Sequence, residues 1–131
     1  PERITTTYAF RSLLDDGAQL AFGSDWFVAP ASVIEGIHAA VTRRTIDGAY
    51  PEGWVPEQKV TVEEALRAYT VTGAYASYDE DNRGRLKAGM LADFVVLDRD
   101  LTAIDADDIR DTRVLRTVVG GQSVFEAGLQ L

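Results

Sequence analysis

Cysteine is absent from this chain, and histidine occurs once, at position 38. The first absence excludes disulfides, thiolate zinc sites, iron–sulfur clusters and cysteine nucleophiles. The second means that one copy cannot build any site that needs two imidazoles. No apolar run approaches the roughly 18 residues needed to span a bilayer. The opening PERITTT also lacks the charged-then-apolar pattern of a secretory signal, so a cytoplasmic location is expected. Basic residues are scarce: 13 Lys and Arg stand against 21 Asp and Glu, for a net charge of −8. The densest basic stretches, Arg43-Arg44 and residues 83–87, are short and interleaved with other types. Neither nucleic acid nor an anionic membrane surface is therefore an expected partner. The acidic excess over residues 79–111 has no calcium-loop spacing and reads as a solvated surface.

What is present is an ordinary globular composition. The 131 residues are 46% apolar and 26% charged, which suits one domain with a real core. Thr5-Thr6-Thr7 offers an N-cap before Tyr8, Phe10, Leu13 and Leu14, and Gly17 supplies a stop, so a helix is expected there. Ala18-Gln19-Leu20-Ala21-Phe22 then reads as a strand buried on both faces that emerges into the polar Gly23-Ser24-Asp25. Val33, Ile34, Ile37 and Val41 place a second helix from about Ser32. Gly48, Pro51, Gly53 and Pro56 make residues 47–59 an irregular loop, yet Tyr50 and Trp54 suit it to packing over something. Thr61-x-x-Glu64 is a capping box ahead of the stripe Val62, Ala65, Leu66 and Tyr69, and a further helical turn runs through residues 73–76. Gly84 and Gly89 bracket a tight approach, and Phe94-Val95-Val96-Leu97 reads as a buried strand. A short helical turn is expected over 105–111. Gly120-Gly121 should turn a hairpin between residues 114–119 and 123–126.

Chemistry has few places to sit. Asp25 follows a strand, at the end where parallel α/β architectures assemble their sites, and its carboxylate could ligate a metal or accept a proton. A structural alternative has it capping the next helix or closing a turn. His38 lies beside an apolar stripe and reads as a packed residue rather than a ligand. Glu63-Glu64 suits the positive end of a helix dipole. Trp26, Pro30, Tyr50 and Trp54 could wall a substrate pocket, with Trp26 as the contact next to Asp25. There is no nucleophile-elbow serine and no phosphate-binding glycine loop.

Four stretches together carry a family likeness: Ala21-Phe22-Gly23-Ser24-Asp25-Trp26, Gly36 to Arg44, Glu63 to Thr70, and Gly84-x4-Gly89-x2-Ala92-Asp93-Phe94-Val95-Val96-Leu97-Asp98. From about Leu13 to Glu126 the chain resembles the C-terminal portion of a metal-dependent amidohydrolase of the amidohydrolase-3 branch. The resemblance implies an α/β chain holding the last strand and helices of a (β/α)8 barrel plus C-terminal β-sandwich strands. The barrel is incomplete, since eight units need about 250 residues. Residues 1–78 would be the barrel segment and residues 79–131 the sandwich segment. It further implies that Asp25 binds a divalent metal, zinc above others, and shuttles the proton of the attacking water. The substrate would be a small amide-type molecule whose non-peptide C–N bond is hydrolysed, while Asp93 would be a structural turn residue. The histidines that relatives draw from earlier strands have no counterpart here, so the chain alone should be inactive. A non-catalytic assembly or binding module is the competing expectation. Self-association, or pairing with the missing barrel portion, should cover the edges left open.

Overall fold

The computed structural model describes residues 2–45 and 47–128; residues 1, 46 and 129–131, which belong to the two expected segments, lie outside the described residues. Helices come first and a three-stranded antiparallel sheet last, an α/β arrangement. No helix is long and apolar enough to cross a membrane among the described residues.

The helix expected from Thr5 starts later. Glu2–Thr6 is a 3-10 helix, Tyr8 is left-handed at φ 49°, and α1 spans Phe10–Asp15. The threonine hydroxyls do not cap α1, because Thr6 and Thr7 both donate back to the Arg3 carbonyl and close the preceding turn. Gly17, at φ 86°, stops α1 as expected. Helix α2 spans Val33–Thr42, and its N-cap Ser32 accepts the Glu35 amide at 3.3 Å. Helix α3, Val62–Tyr69, carries the complete capping box: Thr61 Oγ1 accepts the Glu64 amide and Glu64 Oε2 accepts the Thr61 amide. Helix α4 spans Val71–Ala76. Gly84 packs so closely on it that a Cβ would lie 2.9 Å from the Ala74 Cβ, whereas Gly89 has open space and serves only a positive φ.

Strand β1, Phe94–Leu97, pairs with β2, Val114–Val119, which pairs with β3, Gln122–Glu126. Gly120 and Gly121 turn the β2–β3 hairpin with φ 56° and 79°. The Asp93 carboxylate accepts the Gly120 amide at 2.7 Å and ties the start of β1 to that turn. At the other end of β1, Arg99 and then the Arg113 amide hold the Asp98 carboxyl well below the usual range. The helical turn expected over 105–111 is a 3-10 helix, Ala106–Asp111.

Two strand expectations need correction. Residues 18–24 pair with no strand, because their spatial neighbours are helices and a ladder requires an adjacent extended segment. They are also not buried on both faces, since Gln19, Ala21 and Gly23 are exposed. Strand β1 is not buried either: it is an edge strand, and Val95 keeps 53% of its surface accessible. A wholly apolar run needs cover on both faces, and three strands do not provide it.

The core is small. Ile37 and Ala40 of α2, Val60, Ala65 of α3, Leu101 and Ile109 form it, with Phe10, Leu14 and Phe22 packed against its side. Leu101 and Ile109 come from the segment beyond residue 79, so one core spans both halves of the chain. Ile37 and Ile109 are its largest fully buried side chains, and alanines supply much of the rest.

Candidate functional site

Residues 18–24 run without turn or bend into a turn over residues 25–28. Asp25 opens that turn with φ 51°, and its carbonyl accepts the Val28 amide at 2.7 Å. The residue is exposed, and its carboxylate makes no hydrogen bond or ion pair among the described residues. Ser32, not Asp25, caps α2, so the capping alternative fails. The backbone of Asp25 closes a turn while its side chain has no structural task. Trp26, Phe27 and Val28 follow, with 73%, 86% and 77% of their surfaces accessible.

Two adjoining hollows flank this segment. One, of about 720 Å³, is walled by Tyr8, Phe10, Phe22, Tyr50, Trp54 and Arg43. The other, of about 690 Å³, is lined by Ser24, Pro30, Glu35, His38, Arg44 and Arg110 among others. They share Gly36 and Tyr69. Glycine at 36 makes room for the Tyr69 ring, because a Cβ there would lie 1.9 Å from the Tyr69 hydroxyl oxygen. Burial pushes the Tyr69 phenol above its ordinary pKa of 10. Of the aromatic residues expected to wall a pocket, Tyr50 and Trp54 do so; Trp26 stands outside both linings.

Arg43 organises the first hollow. It sits in the left-handed region at the end of α2, φ 59°, and is only 8% exposed. Its guanidinium donates to the carbonyls of Trp54, Tyr8 and Thr7 at 3.0, 3.1 and 3.3 Å. It also lies 5.6 Å from the ring centres of Phe10 and Trp54. Burial lowers its pKa, and none of its side-chain bonds goes to a carboxylate. This clip joins three segments distant in sequence and explains why the 47–59 loop packs where it does. In the sequence Arg43-Arg44 reads only as a short basic stretch, because the partners of Arg43 are backbone carbonyls far along the chain.

His38 is buried, at 7% exposure, as its place beside the α2 stripe suggested. Burial, reinforced by Arg110, pushes its imidazole below the ordinary value of 6.5 and keeps it neutral. Asp107, Arg44 and Asp111 also act on it. Arg44 pairs with Asp107 at 2.5 Å, and its Nε is buried without a partner. The structure thus gathers His38 with charges of the 3-10 segment, in a hollow whose lining does not include Asp25. No group of three His, Asp or Glu residues able to hold a metal occurs among the described residues.

Residues 1–125 match the profile described as Amidohydrolase family. The chain is 38% identical over 119 residues to the N-substituted formamide deformylase of Arthrobacter pascens, covering 91% of this chain and 21% of that protein. It is 35% identical over 122 residues to Protein LONG AFTER FAR-RED 3 of Arabidopsis thaliana, covering 93% and 20%. The chain therefore spans about a fifth of the length of these curated relatives. Its fold superposes with a TM-score of 0.66 on an amidohydrolase from Thermotoga maritima MSB8, at 22% identity, over 91% of this chain and 26% of that one.

Proposed function

The chain belongs to the amidohydrolase family, and from that premise we propose that it supplies Asp25 to a site that hydrolyses a non-peptide C–N bond. One observation carries this reading: Asp25 is held in a left-handed turn at the end of an unbent segment, with a carboxylate that no structural contact uses. In this reading the strand ending at Gly23 is the final strand of a (β/α)8 barrel. Residues 1–78 lie on the barrel side and residues 79–131 are sandwich strands. Other parts of an amidohydrolase complete the site, and the isolated chain is inactive.

The Asp25 carboxylate acts as the proton carrier. As water adds to the amide carbon, Asp25 accepts its proton and then delivers it to the nitrogen as the C–N bond breaks. Trp26, exposed beside it, contacts the substrate. A divalent metal, zinc foremost, belongs to the complete enzyme. The residues of this chain do not fit a metal centre by themselves, because no three His, Asp or Glu side chains come together among the described residues.

A chimera tests the proposal. Replacing the matching stretch of the Arthrobacter pascens deformylase with this chain should retain formamide hydrolysis, and Asp25→Asn should lower kcat by roughly a hundredfold or more. Calorimetry on the chain alone should find no stoichiometric zinc. Tight zinc binding lost in Asp25→Asn, or hydrolysis by the isolated chain, would overturn the inactive-piece reading. Full activity of the Asp25→Asn chimera would remove Asp25 from the chemistry and favour the non-catalytic module.

A further inference from the structure

Between β1 and β2 the chain leaves the sheet and returns to it where it left. The Asp98 amide donates to the Arg113 carbonyl at 3.0 Å, and the Asp98 carboxylate accepts the Arg113 amide and guanidinium at the same distance. Residues 99–112 therefore form a loop with pinched ends, within the roughly 6–16 residues of a compact Ω-loop. Its backbone bonds are internal: Ala103 donates to Asp100, Asp108 to Asp105 and Thr112 to Ile109. No backbone group of the loop bonds to a described residue outside it. Side chains alone seat it on α2. Leu101 and Ile109 are buried in one cluster with Ile37 and Ala40, and Asp107 pairs with Arg44.

The polar groups at this seat are poorly served. Arg44 Nε and Thr112 Oγ1 are the two side-chain atoms, among the described residues, that are buried without a hydrogen-bond partner. One stands just past the end of α2 and the other at the end of the 3-10 helix in the loop. Lifting the loop would return both to water, which offsets part of the cost of exposing Leu101 and Ile109. His38 lies buried at the same seat. Its carbonyl accepts the Thr42 hydroxyl, but neither ring nitrogen bonds to a described residue. Arg110, Asp107 and Asp111 act on the ring from the loop, and Arg44 from beyond α2. Glu35 of α2, Asp47 and the Tyr69 phenol line the same hollow. Burial and the two guanidiniums oppose a charged ring while the loop is seated, and they outweigh Asp107 and Asp111.

We propose that residues 99–112 are a pH-operated loop, seated on α2 while His38 is neutral and lifted as a unit about the Asp98–Arg113 pinch when His38 takes up a proton. Lifting lets water solvate the imidazolium, Arg44 Nε and the Thr112 hydroxyl together. The ladder of β1 with β2 survives, because the pinch closes the loop without using α2. The proton binds the lifted form better, so seating is complete above pH 6.5 and gives way as pH falls towards the pKa of the seated form. Lifting also withdraws Arg110 and Asp111 from the hollow that they line with Ser24 and Pro30, so acid widens the space beside the 25–28 turn. This device goes beyond the function proposed above. Every contact it uses lies within this chain, and it stands whether or not Asp25 serves a hydrolase.

Hydrogen exchange on the purified chain tests it, read as protection factors so that the intrinsic pH dependence of exchange is removed. From about pH 7.5 to about pH 5.5, protection of the Ala103, Asp108 and Thr112 amides should fall at least threefold, and by no more than about the tenfold that one proton allows. Amides of the β2–β3 hairpin should keep theirs. His38→Gln should abolish the fall. Asp107→Asn, which weakens the seat without touching the imidazole, should lower loop protection at every pH and leave the fall in place. Carbon NMR of the single imidazole assigns the proton without any variant: the ring should titrate below pH 6.5, and the fall should level off where it does. Loop protection indifferent to pH would overturn the proposal. So would loop and hairpin losing protection together, a fall that persists in His38→Gln, or a ring that titrates at or above pH 6.5.

Discussion

Replacing Arg43 with methionine keeps the apolar stem and removes the guanidinium, and its cost can be worked from the contacts. Three charge-assisted bonds to the Trp54, Tyr8 and Thr7 carbonyls contribute roughly 1.5 kcal/mol each. Two ring contacts add about 0.5 kcal/mol each. Burying the cation costs about 3 kcal/mol, which the variant recovers. The net loss is about 2.5 kcal/mol, and with a urea slope of roughly 1.5 kcal/mol per molar the midpoint falls by about 1.7 M. Fluorescence in a Trp26→Phe background reports on Trp54, which the clip holds in place. Arg43→Lys should regain less than half the loss, because an ammonium cannot reach three carbonyls and stack on two rings. A loss below about 0.6 M in Arg43→Met, or full recovery in Arg43→Lys, would refute the clip and make Arg43 a packing residue.

Three further outcomes follow from the contacts described. Gly36→Ala, which in an open helix would gain about 1 kcal/mol, should instead destabilise by about 1–2 kcal/mol because the new methyl meets the Tyr69 hydroxyl; chemical denaturation of Gly36→Ala with and without Tyr69→Ala should show the clash relieved in the double variant. Thr61→Ala should cost about 1 kcal/mol by opening the capping box, read as a lower melting temperature. His38 has its folded pKa below the unfolded value of 6.5, so the unfolded chain takes up the proton first. Stability is then full above pH 6.5 and declines as pH falls towards the folded pKa. The melting temperature of His38→Gln, measured over the same pH range, should lack that part of the decline.

Features governed by neighbours in sequence were the ones legible in the sequence. The capping box at Thr61 and Glu64, the Ser32 start of α2, the Gly17 stop and the Gly120-Gly121 hairpin each involve groups a few residues apart, and each forms as read. The α1 start failed within the same range, because the threonine hydroxyls had a competing acceptor in the Arg3 carbonyl. Residues 18–22 and 94–97 share an apolar composition that signals burial. Whether such a run becomes a ladder or a buried strand depends on what lies beside it, and that is not written in the run itself. The family resemblance picked out Asp25, but that its carboxylate bonds to none of the described residues needed coordinates. Arg43 was hidden for the opposite reason: its partners are backbone carbonyls 11, 35 and 36 residues away, which no residue type announces.

The alanine-rich core bears on how this chain should be handled. A core whose fully buried large side chains are Ile37 and Ile109 leaves little margin between folded and unfolded states. When the margin is thin, anything that binds only the folded form sets a visible share of it. Any partner that covers the exposed apolar residues of this chain is then such a ligand. The melting midpoint should rise with that partner's concentration, and urea curves taken with and without it should not superpose.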